Sequence, residues 1–181
     1  MKNERAFTLI EILVILSIMT MLVGMTFTYS NRGGQQITLF REKARVMQEI
    51  LRAKSLAITL YKETEERICG YGVHFPQAAG ISERRTIILF KDLPVDDECS
   101  EFPAYSGVSE LIDEHTLPEN IRFFNPTETI FFQPPIPTIY FNGLKAGQSE
   151  ALSEARVELR LNDSNDSTFI TVNALGQVNA E

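Results

Sequence analysis

Apolar residues crowd the chain from Phe7 to Tyr29, and beyond that point their spacing changes twice. No charged residue occurs between Ile12 and Tyr29. At about 1.5 Å per residue those positions make roughly 27 Å of helix, close to the hydrocarbon thickness of a bilayer. A membrane-spanning helix is therefore predicted over residues 7–30. A secretory signal peptide is the competing reading, but its apolar core is usually about 7 to 15 residues long and ends in small residues, whereas this run ends Thr28-Tyr29-Ser30-Asn31-Arg32. Asn31-Arg32-Gly33-Gly34 is a local breaker, a bend or hinge. Apolar residues then return at Ile37, Phe40, Ala44, Met47, Leu51, Ile58 and Tyr61, in helical steps broken only by Lys54 and widened by Ile50 and Ala57. Glu42, Arg45, Gln48, Glu49 and Arg52 fill the other side. That pattern predicts an amphipathic helix through residue 64 whose stripe faces a core.

From Arg67 the period becomes two. Cys69, Tyr71, Val73 and Phe75 alternate with Gly70, Gly72 and His74, and Val157, Leu159 and Leu161 alternate with Arg156, Glu158 and Arg160. Shorter strands are predicted at Thr86–Lys91, Ile121–Phe124, Thr129–Gln133, Thr138–Phe141 and Thr168–Val172, with a last one at Gln177-Val178. Pro134-Pro135, Asn142-Gly143, the 161–167 stretch and Asn173–Gly176 supply turns. The fold class is α+β: a long N-terminal helix, transmembrane then amphipathic, packed on an antiparallel β-rich domain over residues 65–181.

Glu11 is the charge that interrupts the first segment. An ionised side chain at mid-bilayer costs on the order of 2.5 to 3.5 kcal/mol, less near an end, so an intramembrane carboxylate calls for a partner. A cut between Ala6 and Phe7 would supply one, because the new amine of Phe7 would sit within about one helical turn of Glu11. Lys2 and Arg5 in a short polar stretch, a small residue at Ala6, and then Phe7-Thr8-Leu9-Ile10-Glu11 resemble the class III leader of type IV pilins and type II secretion pseudopilins. The family places Gly where this chain has Ala6. The resemblance implies that residues 1–6 are a leader removed by a membrane aspartyl prepilin peptidase. It also implies that the Phe7 amine is then N-methylated, and that Glu11 pairs with the amine of a neighbouring subunit during assembly. Other pilins or pseudopilins and an inner-membrane assembly platform are the implied partners, with membrane lipid around the helix.

The strand order and the turns around Phe169-Ile170-Thr171-Val172 and Gly176-Gln177-Val178 resemble the H-type minor pseudopilins, whose fold sets a long helix beneath two antiparallel sheets. The expected function is that of a minor pilin or pseudopilin in a secretion or pilus system. A single-pass anchored binding module that never enters a filament is the alternative.

Charge and motifs exclude other classes. A net charge of −7, with no basic run longer than Arg84-Arg85, argues against nucleic acid as a partner. Basic residues flank both ends of the apolar segment, so charge alone does not orient it. The family resemblance implies a cytoplasmic leader and an exported domain in the inner membrane. Cys69 and Cys99 would then meet an oxidising compartment, where a disulfide or two buried thiols are both open. Closing that loop would contribute roughly 3 to 4 kcal/mol in the chain-entropy picture. His74 and His115 accompany no nucleophile or zinc motif and are expected, respectively, on an outer strand face and in a solvated Asp113-Glu114-His115 segment. Asp163, Asn165 and Asp166 lack the Gly and Glu of a calcium loop, and Asp96-Asp97-Glu98 reads as an acidic loop. No enzyme activity, metal or cofactor is expected.

Overall fold

In a computed structural model of the chain, the described residues are 9–59, 68–77, 83–96, 98–106, 109–135, 137–148, 152–162, 164 and 166–180, with the side chains of 27–32 and 83 left aside. One α-helix, α1, runs Leu9–Thr59. Two compact units divide at Thr38 and Leu39. The first consists of the apolar part of α1. Its window Leu9–Thr26 has a mean hydropathy of 2.3 and no buried residue.

Helical structure continues through Asn31-Arg32-Gly33-Gly34, so the expected break there is corrected. A glycine in a helix interior costs about 1 kcal/mol relative to alanine, which lowers propensity without forbidding the helix. The hydroxyl of Thr38 donates to the carbonyl of Gly34, tying this turn together.

The second unit holds, among the described residues, the rest of α1 and ten strands in two antiparallel sheets. The larger sheet orders β3(Glu110–Thr116), β2(Thr86–Asp92), β1(Gly70–His74), β5(Thr129–Gln133), β6(Thr138–Phe141) and β7(Leu144–Lys145). The smaller one orders β10(Val178–Ala180), β9(Ser167–Asn173), β8(Glu154–Leu161) and β4(Ile121–Phe124). The predicted turn at Asn142-Gly143 joins β6 to β7, with both residues at positive φ as a tight hairpin requires.

One core unites helix and sheets. Tyr71, Val73, Phe75, Ile130, Phe132 and Phe141 enter it from the larger sheet, and Phe123, Val157, Leu159, Ile170 and Val172 from the smaller. The rings of Phe75 and Phe123 meet edge to face across the sheets at 5.0 Å.

The helix presents Leu39, Val46, Ile50, Ala53 and Ala57 to this core. Of the predicted stripe, Ile50 and Ala57 are buried as expected, but the core face lies beyond them: Ile37, Phe40, Ala44, Leu51 and Ile58 are exposed, Met47 is half-buried, and Tyr61 lies outside the described residues. Both series are apolar at helical spacing, roughly a third of a turn apart at about 100° per residue. Phenylalanines already fill much of the core, so the face bearing the small Ala53 and Ala57 is the one the sheets can approach closely.

Two strands appear that periodicity did not show. β7 is only two residues long. β3 is exposed over nearly its whole length, so it has no apolar alternation to betray it. It contains Asp113-Glu114-His115, of which Asp113 and Glu114 are exposed to solvent as expected, while His115 is half-buried against Glu42.

Candidate functional site

Glu11 lies in the first described turn of α1, among Leu9, Ile10, Ile12 and Leu13, which are all exposed. Ala6 and Phe7, the predicted cleavage pair, lie outside the described residues.

The polar side chains further along this helix turn inward on its own backbone. Thr20 Oγ1 donates to the carbonyl of Ser17 at 2.9 Å, and Thr26 Oγ1 to that of Leu22 at 2.7 Å. Hydroxyls satisfied within the helix can face lipid without an unpaired donor, which an apolar medium penalises by several kcal/mol. Glu11 differs from them in kind, because an ionised carboxylate cannot donate to a helix carbonyl as a hydroxyl does.

Residues 1–27 match the prokaryotic N-terminal methylation motif. That span contains Ala6, Phe7 and Glu11 and covers the whole apolar window Leu9–Thr26 of α1. The chain thus carries a prepilin-type N-terminus, with the peptidase processing and assembly alongside other pilins that this leader implies, and one apolar N-terminal helix suited to a single-pass membrane anchor. No curated protein and no solved structure matches the chain significantly.

In the second unit, Cys69 and Cys99 are bonded to each other, with Cα atoms 5.5 Å apart. The bond anchors residues 93–106 across the outer face of the larger sheet. Tyr105 stacks on His74 at 4.9 Å and meets Phe90 edge to face at 5.3 Å, while Phe102 lies beside Gly143 at the far hairpin. His74 is on the outer strand face as expected, yet this strap leaves it half-buried. Its Nδ1 lies 3.1 Å from Thr129 Oγ1, and burial pulls its pKa below the usual histidine value despite the opposing pull of Glu128. Asp92, at the root of the strap, is buried and accepts from Ser109 Oγ at 3.3 Å; burial holds its carboxyl above the ordinary range.

Sequence reasoning missed the contacts between α1 and β3. Glu42, assigned to the polar side of the helix, is only 2% exposed, and its Oε2 lies 3.0 Å from His115 Nε2. Arg52 reaches Asp113 at 2.6 Å. The available signal was the position of Glu42 between Leu39 and Val46, on the face that proved to be the core.

Proposed function

We propose that this chain is a non-enzymatic subunit of a type IV filament system, a minor pilin or pseudopilin most like the H type. It is held in the inner membrane by its N-terminal helix with the β domain exported. The prepilin peptidase removes residues 1–6 and the Phe7 amine is methylated. The subunit then leaves the bilayer through an assembly platform to join other pilins. The observation that carries the reading is the match of residues 1–27 to the methylation motif, with Glu11 set within an apolar, unburied stretch of helix.

Glu11 supplies register. At about 4 Å and an effective dielectric near 20, opposite unit charges attract by about 4 kcal/mol, and desolvation offsets much of that. Apolar helices can slide along one another at little cost, whereas a single ion pair between the carboxylate and a neighbour's terminal amine is satisfied at one axial offset only. Glu11→Ala is expected to insert and lose its leader normally while its fibre-associated fraction falls several-fold, measured by immunoblotting sheared fibres against the membrane pool. Normal incorporation of the variant contradicts the register role. A wild-type chain that keeps its leader and never enters fibres would instead be an anchored binding module.

A further inference from the structure

Charge in the exported domain is sorted by face. Between Lys91 and Arg122 the chain contains nine Asp and Glu and neither Lys nor Arg. Part of that stretch is the strap over the larger sheet, where Asp96, Glu98 and Glu101 are exposed and form no ion pair among the described residues.

The outer face of the smaller sheet is its complement. Along β8, Ala155, Val157, Leu159 and Leu161 enter the core, so Glu154, Arg156, Glu158 and Arg160 point away from it, and with Arg122 of β4 the arginines on this face outnumber its carboxylates by three to two. The Arg156 guanidinium lies 3.9 Å from the Phe169 ring centre, and that of Arg160 lies 3.7 Å from Phe124. Arg122 on β4 is directly opposite Arg160 in the register, a like-charge pairing that costs stability in a sheet. Glu158 bonds Arg160, but Arg156 has no carboxylate among the described residues, and Arg122 Nε is buried with no hydrogen-bond partner. Guanidinium planes fixed on aromatic rings are preorganised to take carboxylates in two-pronged fashion. A net charge of −7 disfavours a long polyanion as the occupant.

We infer that this arginine face receives the acidic strap of a second copy of the chain, head to tail. The argument rests on the filament reading above, and it names a contact between exported domains rather than between membrane helices. Because the two surfaces differ, the contact is heterologous and does not close on itself, which suits a helical fibre. It lets copies of this subunit follow one another instead of standing singly among other pilins.

The test places a photoreactive amino acid at Thr171, the cross-strand neighbour of Arg156, in full-length chain carrying two different tags in the native host. The expected result is an adduct joining the two tags, mapped to residues 95–106. Arg122→Glu with Arg156→Glu should lower its yield about tenfold or more, as like-charge contacts do at interfaces. Adding Glu98→Arg with Glu101→Arg should restore it, which also shows that the reversed chain still folds. Absence of the adduct, an adduct indifferent to these reversals, or one formed with nucleic acid or another protein instead overturns the inference. Leader removal and fibre association are scored on the same samples. Processed, fibre-bound chain without the adduct defeats this contact alone; uncleaved chain absent from fibres defeats the filament reading and this contact with it.

Discussion

His74 shows how one side chain couples the strap to the solvent. Its ring is stacked under Tyr105, hydrogen-bonded at Thr129, and held by burial more weakly protonated than in the unfolded chain. With the folded pKa depressed, the unfolded state binds the extra proton first. Stability from this residue is therefore fully present above the unfolded value of about 6.5 and is lost as pH falls through it. Thermal unfolding of the wild type should drop between pH 7.5 and pH 5, and His74→Gln should flatten that slope. An equally steep slope in the variant would show that the imidazole is not responsible. Asp92 has the opposite sign, its raised pKa giving stability at low pH that declines as pH rises above about 3.8, so it does not mimic the His74 effect. Gly72 illustrates a different constraint at this scale. A Cβ there would come within 2.9 Å of the Ile130 carbonyl oxygen, and the Phe90 ring occupies the remaining space. The alternation of Gly70, Gly72 and His74 on the outer face thus marks where aromatic rings lie flat on the strand.

At the scale of elements, the half of α1 in the second unit has two apolar seams and uses one of them for its own core. Ile50→Ala should destabilise the protein by about 2–5 kcal/mol, the usual result of truncating a fully buried aliphatic side chain. Leu51→Ala, one position along but 43% exposed, should cost no more than about 0.5 kcal/mol. Urea unfolding midpoints of the two variants check this, and equal losses would show that Leu51 belongs to the core as fully as Ile50. Periodicity showed that a helix forms but not which way it faces, because Phe40, Ala44 and Leu51 are as apolar and as regularly spaced as Val46, Ile50 and Ala57. The strands were more legible. β4, β5 and β6 occupy their predicted spans, since short apolar runs between turn residues have few alternatives. β3 was hidden because its side chains are governed by partners distant in sequence, Glu42 and Arg52 on α1 and Lys91 on β2, rather than by a local pattern. The strap was only partly legible: the two cysteines left a Cys69–Cys99 bond open, and the structure forms it, but nothing in residues 93–106 announces that Tyr105 covers His74. In the chain-entropy picture the bond that holds it contributes roughly 3 to 4 kcal/mol.

For the whole molecule, the two units answer to different solvents. The first leaves every residue of Leu9–Thr26 uncovered, as a segment surrounded by lipid or by other helices would. The second buries its apolar side chains around a mixed core and sorts its charge between separate surfaces. Glu11 belongs to neither pattern, being a charge in the apolar unit, and it falls within the residues that match the methylation motif. The account depends on an amine created by cleavage after Ala6. The most direct test is mass spectrometry of the mature N-terminal peptide from protein made in its native host. The expected species begins at N-methylated Phe7. A chain that begins at Met1, or at an unmodified residue elsewhere, contradicts it.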